Sequence, residues 1–213
     1  MKRINAIAKY ILDDDKVIDV GCDHAYLSMI LAKRGIYSIA SDLRENIIEN
    51  SYDVAKSQKI DKFIDFRCGN GLDVLTDEDN VDVAVLSGMG SYLIIDILKR
   101  SKYTFKKVIT ISNREHEYLR SEMLKLGYKV FLEEIIYEKN KFYNLILFVP
   151  GKTKYSKEEL VIGINHQNYD LLLKKNKMEL DKINKILTSK DINNKKLIRK
   201  KEILEKYLYK INI

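Results

Sequence analysis

One stretch of the chain places a short apolar run directly before groups that could hold a cofactor. It reads Val17-Ile-Asp-Val-Gly-Cys-Asp-His-Ala-Tyr-Leu27, with Asp19, Gly21, Asp23 and His24 as the members suited to contact a ligand. Its spacing departs from the Gly-x-Gly-x-x-Gly motif that cradles a pyrophosphate, because Asp23 stands at the second glycine position. A carboxylate at that point repels a pyrophosphate and accommodates the cationic end of S-adenosylmethionine. The stretch therefore predicts the mouth of a cofactor site.

Three more loops with ligand-binding composition follow predicted strands. Asp42 lies 21 residues after the first glycine of that stretch, near the spacing of the acidic residue that binds ribose hydroxyls. Residues 68–71, Cys-Gly-Asn-Gly, offer a backbone that can approach a planar ring and an Asn70 amide that can bind an adenine edge. Residues 87–91, Ser-Gly-Met-Gly-Ser, add two glycines beside a strand end. The predicted cofactor residues are Asp19, Gly21, Cys22, Asp42, Leu43, Asn70, Gly71, Ser87, Gly88 and Met89.

Each loop also has an interpretation without a ligand. Asp23 can be the N-cap of the helix that follows it, and Asp42 can be a solvent-facing aspartate at a helix start. Residues 68–71 can form an ordinary glycine turn, and residues 87–91 a plain strand-to-helix turn. One loop of this kind is a weak indication, whereas four that follow successive strands favour a ligand site, because ligands bind beyond the carboxyl ends of such strands.

Short β-branched runs alternate with helical patterns as far as residue 150, which predicts a parallel sheet with crossover helices. The runs 129–137 and 142–149 are separated by only four polar residues, too few for a crossover, so they must form an antiparallel hairpin. The predicted fold class is α/β and resembles the Rossmann-like sheet of class I methyltransferases, which ends in such a hairpin. The predicted strands are 16–20, 37–41, 63–67, 82–86 and 107–111, and the predicted helices are 25–34, 44–57, 91–100 and 114–126, after an amphipathic pattern within residues 1–15.

The composition changes at residues 150–156, Pro-Gly-Lys-Thr-Lys-Tyr-Ser, which predicts a linker between two domains, 1–150 and 151–213. The first domain carries a net charge of −1 and the second +8, so the basic character lies in the C-terminal part. Heptad-like apolar spacing, broken at 188–194, predicts a coiled-coil-like helical hairpin there. An alternative is a solvated lysine-rich helix pair that only supports the first domain. The predicted seam residues are Ile162, Tyr169, Leu173, Leu180, Ile183 and Leu187 in one helix and Leu197, Leu204, Leu208 and Ile211 in the other.

Composition argues against several classes of protein. A chain of 213 residues buries one substantial core with an appendage, and its first 15 residues do not have the pattern of a signal peptide. No apolar run approaches the roughly 18 residues that cross a bilayer, so a cytoplasmic location away from membranes is expected. Cys22 and Cys68 follow strands that should lie two spacings apart, so both are expected to be reduced thiols. Paired Cys-x-x-Cys spacing is absent, and no metal is expected.

At these motifs the chain resembles the bacterial tRNA (adenine-22-N1)-methyltransferase family, TrmK. Residues 19–27, Asp-Val-Gly-Cys-Asp-His-Ala-Tyr-Leu, are similar to that family's Asp-Ile-Gly-Ser-Asp-His-Ala-Tyr-Leu signature. Residues 70–75, Asn-Gly-Leu-Asp-Val-Leu, and 87–90, Ser-Gly-Met-Gly, are similar to its Asp-Gly-Leu-Glu-Val-Leu and Ala-Gly-Met-Gly segments. The chain departs from the family pattern at Ser28, where proline is usual, at Asn70, where an acidic residue is usual, and at 111–114, where Ile-Ser-Asn-Arg replaces Leu-Gln-Pro-Asn.

The resemblance implies transfer of a methyl group from S-adenosylmethionine to N1 of an adenine in tRNA, at position 22. N1 carries a neutral lone pair, so attack depends on positioning, and a nearby acceptor would stabilise the positive charge that develops on the ring. Asp23 and His24 are the predicted catalytic residues, with Asp23 preferred for its charge. Tyr26, Tyr92 and Asn113 are the predicted substrate contacts. In the alternative interpretation, the histidine is an ordinary loop residue and the tyrosines are packed in the core.

The target atom also determines what else the protein must bind. N1 lies on the Watson–Crick edge, so the base must leave the tRNA fold before it reacts, and lysines of the C-terminal hairpin would contact phosphates. The predicted partner is tRNA, bound by a monomer without a metal. Three alternatives stay open: a methyltransferase of another RNA or a small molecule, a non-catalytic RNA-binding module, and an NAD-dependent oxidoreductase. A small-molecule enzyme would not need the basic tail, and an RNA-binding module would not need the glycine loops.

Overall fold

The computed structural model describes residues 2–189 and 194–211. The strands are β1 (Val17–Val20), β2 (Ser38–Asp42), β3 (Ile64–Cys68), β4 (Val83–Ser87), β5 (Lys107–Ser112), β6 (Tyr128–Glu138) and β7 (Lys141–Pro150). The helices are α1 (Lys2–Lys9), α2 (Tyr26–Lys33), α3 (Glu45–Ser57), α4 (Ser91–Arg100), α5 (His116–Lys125), α6 (Lys157–Ile162), α7 (Tyr169–Ser189) and α8 (Lys195–Ile211). A 3-10 turn, Asp61–Phe63, precedes β3.

The strands form one sheet in the order β3-β2-β1-β4-β5-β7-β6. β1 to β5 run parallel, and β7 pairs antiparallel with both β5 and β6. This order confirms the predicted Rossmann-like sheet with its terminal hairpin, and the elements predicted between residues 16 and 149 are present with ends shifted by at most two residues. After β1 the chain continues to β2 on one side of β1, and it later returns to form β4 on the other side of β1. The loops after β1 and β4 therefore flank a topological switch point, where ligands of such sheets bind.

The central strands are buried on both faces because helices cover the sheet on each side. β1 and β2 have no exposed residue. One face packs against α4 and α5 through side chains such as Ile94 and Leu119, and the other against α1 and α2 through side chains such as Ile7 and Leu31. Apolar strands covered on both faces are typical of a parallel sheet. This core fixes the position of the loops at the carboxyl edge.

The N-terminal helix α1 connects the start of the chain to α2 and to the outer strand. Arg34, directly after α2, donates hydrogen bonds to the carbonyls of Ala8 (2.7 Å) and Ile11 (2.8 Å). Arg3 pairs with Glu138 at the end of β6, at 2.9 Å. The amphipathic pattern predicted near the N-terminus thus corresponds to a helix that packs against the sheet.

The C-terminal region contains a short helix that the sequence analysis missed. Ser156 begins α6 through a reciprocal capping box with Glu159, so Ile162 belongs to α6 and not to the first helix of the hairpin. The seam prediction is also wrong at Tyr169, which is 62% exposed, whereas Leu172 is fully buried. The physical reason is that residues 163–168 interrupt the helix, so a heptad counted from α6 does not continue in phase into α7.

The helices α7 and α8 form the predicted antiparallel hairpin. Glu179 of α7 pairs with Lys200 of α8, and Ile183 and Leu204 share a buried cluster. The predicted break at 188–194 falls between the two helices, and its residues 190–193 lie outside the described residues. The same cluster contains Ile135 of β6, so the hairpin packs onto the outer strand of the sheet. None of the helices described in residues 2–189 and 194–211 is long and apolar enough to cross a bilayer.

A buried ion pair strengthens this attachment. Arg120 of α5 donates to both carboxylate oxygens of Glu133 of β6, at 2.7 and 2.6 Å, and both side chains are fully buried. The segment after β7 closes around the pair, because Arg120 also donates to the Leu160 carbonyl and Glu133 accepts from the Ile164 N–H. A buried pair with such additional hydrogen bonds is strongly destabilising to break. We call these four residues the clasp.

Candidate functional site

Left-handed backbone conformations shape the loop between β1 and α2. Gly21 (φ +68°), Asp23 (φ +51°) and Ala25 (φ +49°) all have positive φ. Ala25 is the N-cap of α2 and makes no side-chain cap, so the interpretation of Asp23 as the N-cap is wrong. Non-glycine residues in this conformation cost about 1 kcal/mol or more each, and such strain is concentrated at functional sites. The conformation leaves Asp23 and His24 exposed.

Asp19 is a buried carboxyl group two residues before Gly21. It lies in β1 and is only 6% exposed. Burial, reinforced by repulsion from Asp42, raises its pKa to about 7, and within residues 2–189 and 194–211 no hydrogen bond to its carboxyl oxygens offsets this effect. A cationic or hydrogen-bond-donating ligand would satisfy these oxygens and favour their charged form. Asp19 is therefore suited to hold the positive part of a ligand.

Asp42, at the end of β2, joins the β1 loop to the start of α3. Its carboxylate accepts hydrogen bonds from the Asp23 N–H (3.2 Å) and from the backbone and side chain of Arg44 (2.9 to 3.2 Å). Asp42 is 6% exposed, so the interpretation of it as a solvent-facing aspartate is wrong. Burial opposes its ionisation, but the hydrogen bonds from Arg44 and the Asp23 N–H, together with the charge of Arg44, hold the pKa of Asp42 below its ordinary value.

Arg44 is a site residue that sequence analysis missed. It is the N-cap of α3 and also donates to Asp23, at 3.1 Å, so it links the two carboxylates. The sequence did contain a signal, because an arginine two residues after a carboxylate at a strand end can fold back onto it. Arg44 contacts both oxygens of Asp42. The ribose contact predicted for Asp42 therefore requires Arg44 to move or to share that carboxylate.

The loop after β3 packs closely against the protein itself. Gly71 is buried with φ +62°, and a Cβ at this position would lie 3.0 Å from Ile97 of α4. Gly71 thus has a packing role of the kind expected for an ordinary glycine turn. The neighbouring Asn70 is exposed, and Leu43 across the β2–β3 edge is 68% exposed. These two side chains, one an amide and one apolar, are accessible to a ligand.

The two cysteines have different surroundings. Both are free thiols, as predicted, with Cys22 buried and Cys68 exposed. Burial, with the nearby charges of Asp19 and Asp42, raises the pKa of the Cys22 thiol, so this thiol stays neutral. In the described part of the chain, no group of three or more His, Cys, Asp or Glu side chains could hold a metal ion. Cys22 therefore contributes to the β1 loop as a small packed side chain.

The loops after β4 and β5 are joined to each other and to the β1 loop. Asn113 donates from its backbone to the Met89 carbonyl (3.1 Å) and from its side chain to the Gly88 carbonyl (3.0 Å). The Met89 methyl group lies so close to Gly21 that a Cβ there would be 3.1 Å away from it. This contact brings the two sides of the switch point together, so the loops after β1 and β4 border one crevice.

Aromatic rings form two pairs among the loops and helix starts of this edge. His24 and Tyr26 have ring centroids 5.6 Å apart, and Tyr92 of α4 and Tyr118 of α5 have theirs 4.4 Å apart. Tyr26 is 44% and Tyr92 58% exposed, so the interpretation of these tyrosines as core residues is wrong. Tyr118 was not predicted, because its contact with Tyr92 joins two helices. Exposed ring faces of this kind are suited to stack on a nucleobase.

The start of α8 lies beside the second aromatic pair. Lys196 pairs with Glu115, the N-cap of α5, at 2.6 Å, and it lies within electrostatic range of the Tyr92 phenol. Arg199, one turn further along α8, pairs with Glu117 in the first turn of α5. The basic hairpin is thus anchored beside the crevice rather than at the opposite edge of the sheet.

The crevice combines carboxylates, glycine backbone and exposed rings. The Asp19 carboxyl, which lacks a hydrogen bond from the described residues, is the feature that fits a cationic cofactor, and the accessible amide and apolar side chains fit its nucleoside part. The predicted roles of the individual residues stay predictions. Of the predicted cofactor residues, Asp19, Cys22, Asp42 and Gly71 are buried, Ser87 and Met89 are half-buried, and Gly21, Leu43, Asn70 and Gly88 are exposed.

Comparisons with known proteins agree with this architecture. Residues 1–146 match the family model described as methyltransferase domain. The tRNA (adenine(22)-N(1))-methyltransferase of Bacillus subtilis is 27% identical over 155 residues, which cover 70% of this chain and 65%, just under two thirds, of that protein. A putative tRNA (m1A22) methyltransferase of Streptococcus pneumoniae, solved with S-adenosyl-L-methionine, has a TM-score of 0.88 at 25% identity and covers 98% of this chain and 99% of that chain.

A second solved structure extends the likeness to the C-terminal helices. TrmK of M. capricolum, in complex with S-adenosyl-homocysteine, has a TM-score of 0.87 at 25% identity and covers 98% of this chain and 97% of that chain. These matches confirm the resemblance to the TrmK family that the loop motifs predicted. Because the matched family model extends from residue 1 into β7, the chain belongs to the methyltransferase domain family.

Proposed function

We propose that this protein transfers a methyl group from S-adenosylmethionine to N1 of an adenine in tRNA, at position 22. The observation that carries the proposal is the crevice at the switch point, where Gly21 meets Met89 and the buried Asp19 lies two residues before Gly21. Relatives of the chain named as tRNA methyltransferases support the choice of substrate.

The cofactor would lie across the loops after β1, β2 and β3. When bound, S-adenosylmethionine supplies an electrophilic methyl group on a cationic sulphur. Asp19 would interact with the positive part of the cofactor, and Asp42 would accept the ribose hydroxyls once Arg44 shares its carboxylate. The exposed Asn70 amide would bind the adenine edge, and the exposed Leu43 side chain would cover the ring.

Catalysis would rest on orientation and on the charge of Asp23. Holding two reactants in attack geometry can supply roughly 7–11 kcal/mol, and N1 needs no strong base because its lone pair is neutral. Asp23 is exposed at the crevice and is held by Arg44 at 3.1 Å. Its carboxylate would stabilise the positive charge that develops on the adenine ring, and His24 offers a second acceptor on the same loop.

The target base would be received by the aromatic rings and by Asn113. Tyr26 and Tyr92 are exposed and stand on opposite sides of the switch point, after β1 and β4. The side-chain amide of Asn113 already donates to Gly88, which leaves its oxygen to accept a hydrogen bond from a base. An extruded adenine that stacks on a ring and binds an amide is a common form of recognition for unpaired bases.

The C-terminal helices would contact the tRNA backbone through their lysines. Residues 151–213 carry a net charge of +8, and phosphate contacts of lysine provide affinity with little sequence information. We propose a catalytic domain at 1–150, a basic helical domain at 151–213, a monomeric state and a cytoplasmic location as parts of the same function. Because Ile135 and the clasp are buried against the C-terminal helices, lysine substitutions test this role more cleanly than a deletion.

The direct test is incubation of the full chain with unmodified tRNA and S-adenosylmethionine, followed by primer extension. A methyl group on N1 blocks Watson–Crick pairing, so the expected result is a reverse-transcription stop at one adenine. The control is the same tRNA with guanine at that position, which should give no stop.

Two results would overturn the proposal. If calorimetry detects no binding of S-adenosylmethionine, the protein is not a methyltransferase of this kind, and the RNA-binding alternative gains support. If a labelled methyl group enters a small-molecule fraction and not RNA, the protein methylates a metabolite. A stop at another adenine would correct the position and retain the reaction.

A further inference from the structure

The first turns of α8 touch the catalytic region through two ion pairs whose carboxylates belong to α5. Lys196 pairs with Glu115 at 2.6 Å, and Arg199 pairs with Glu117. The cations stay accessible, since the Lys196 side chain is 63% and the Arg199 side chain 39% exposed. Two basic groups at the edge of the crevice are thus already engaged by carboxylates of the protein.

These pairs share a surface with the second aromatic pair. Tyr118 lies three residues after Glu115 on α5, and its ring packs against Tyr92 with centroids 4.4 Å apart. Lys196 is within electrostatic range of Tyr92. Proteins that bind unpaired RNA combine rings for the bases with cations for the phosphates between them. This surface has both rings and cations, but its two cations are paired with glutamates.

We propose that Glu115 and Glu117 act as an electrostatic latch, which engages Lys196 and Arg199 in the free protein and is displaced by RNA phosphates on binding. Ion pairs between partly exposed side chains contribute little stability, so a phosphate can replace the carboxylate at small cost. An arginine binds phosphate and carboxylate through the same donor geometry. The latch holds α8 against α5 in the free protein, and both cations become available to phosphates when RNA binds. It rests on the proposed function and deepens it by assigning two further RNA contacts.

A latch of this kind has an unusual consequence for binding. Replacing either glutamate by glutamine removes a competitor, so it should strengthen RNA binding although a contact of the free protein is lost. The wild type and the variant present the same cations to the phosphates, so the difference in affinity is the free energy of the ion pair that RNA must break. Salt screens an ion pair between partly exposed groups, so the gain should be larger at 50 mM than at 200 mM salt.

Glu158→Gln is the matched control. Glu158 pairs with Lys210 of α8 at 3.4 Å, and its side chain is 35% exposed, close to the 31% of Glu115. The variant removes the same charge and frees a lysine on the same helix. Lys210 lies fourteen residues beyond Lys196, about 21 Å along the helix axis, so salt largely screens it from the crevice.

The experiment measures the affinity of the full chain for unmodified tRNA by fluorescence anisotropy at 50, 100 and 200 mM salt. Breaking one partly exposed ion pair costs a few-fold in affinity, so we expect Glu115→Gln and Glu117→Gln each to bind about three- to fourfold more tightly than the wild type at 50 mM, and Glu158→Gln to bind within about twofold of it. In a Lys196→Gln background, Glu115→Gln should have no effect, because the cation that it frees is absent. Melting temperatures establish that each variant is folded.

Binding by both glutamine variants that is no tighter than that of the wild type would overturn the latch. A gain from Glu115→Gln that persists in the Lys196→Gln background would also overturn it, because the effect would then come from net charge alone. Methylation by the wild type separates the two proposals. If the wild type methylates tRNA but the variants show no affinity changes, only the latch is overturned. If the variants show these changes but the wild type does not methylate tRNA, only the proposed activity is overturned.

Discussion

The crevice and the base of the C-terminal hairpin are held by different kinds of interaction. At the crevice, the loops are joined to neighbouring strands by backbone hydrogen bonds, from the Cys22 N–H to Ser41 (2.9 Å) and from the Gly88 N–H to Ile111 (3.0 Å), to which the side-chain bonds of Asp42 are added. The hairpin is attached by side chains, chiefly the fully buried pair of Arg120 with Glu133. Backbone bonds do not depend on side-chain identity, whereas the clasp does.

This difference indicates where each region is sensitive to substitution. In the crevice, charged side chains such as Asp19 are left for a ligand, so their loss should affect binding more than folding. At the hairpin base, charged side chains are buried in pairs with each other, so substituting them should lower the stability of the protein before it affects binding.

Arg120→Met should lower the free energy of unfolding by about 3–5 kcal/mol, because it leaves the Glu133 carboxylate buried without its partner. Urea denaturation measures the change. Arg120→Met combined with Glu133→Leu should recover much of the loss, since no uncompensated charge remains buried. The control Lys99→Met removes a partly exposed partner of Glu122 and should cost under about 1 kcal/mol. Equal losses in Arg120→Met and Lys99→Met would contradict the role of the clasp.

Asp19→Asn should weaken the binding of S-adenosylmethionine by about 10- to 100-fold, because hydrogen bonds to a charged group contribute about 1.5–3 kcal/mol. Isothermal calorimetry measures the affinity. Asp96→Asn, an exposed aspartate of α4 with a helical ion pair, is the charge-matched control and should bind like the wild type. If Asp19→Asn bound the cofactor normally, Asp19 would be a structural residue of β1.

Gly71→Ala should destabilise the protein by about 1–3 kcal/mol, because the residue has φ +62° and its Cβ would lie 3.0 Å from Ile97. Gly35→Ala shares a positive φ of +78° but meets nothing within 4 Å, so it should show only the cost of the conformation. Thermal melts compare the two. A smaller decrease in melting temperature for Gly71→Ala than for Gly35→Ala would show that the loop after β3 moves to accommodate the methyl group, and that Ile97 does not restrict it.

The stability of the ligand-free protein should fall by about 1 kcal/mol more between pH 6 and pH 8 in the wild type than in Asp19→Asn. Burial raises the pKa of Asp19 to about 7 in the folded state, above its ordinary value of 3.8. The stability that it contributes is therefore complete below about pH 4 and is lost as the pH rises to about 7. Urea denaturation at both pH values measures the difference. Parallel losses in the two proteins would mean that Asp19 is already ionised at pH 6 in the folded protein, so that burial does not raise its pKa to about 7.

Lys185→Gln should weaken tRNA binding about threefold at moderate salt and lower the salt slope by about one unit, if this exposed lysine of α7 meets a phosphate. Lys33→Gln at the end of α2 is the control. It lies at the opposite edge of the sheet, because α2 runs back from the carboxyl ends of the strands. Filter binding over a salt series measures both. Equal effects of the two changes would indicate that tRNA responds to total charge rather than to the hairpin.

The type and order of the elements in the first 150 residues follow from local patterns in the sequence. Strand and helix patterns have periods of 2 and 3.6 that are read locally, and a connection of four polar residues between β6 and β7 permits only a hairpin. The position of the candidate ligand loops also followed, because parallel strands bring their carboxyl ends to one edge. For the same local reason, the loop motifs were sufficient to indicate the family.

Contacts between residues far apart in the chain depend on the three-dimensional fold. Arg120 and Glu133, Tyr92 and Tyr118, and Lys196 and Glu115 each join different elements, and no periodicity encodes such pairs. The seam prediction was wrong at Tyr169 because residues 163–168 interrupt the helix, so the heptad phase of α6 does not continue into α7. Local patterns determine which elements form, whereas the charges that are buried, paired or left for a ligand depend on the neighbours that the fold supplies.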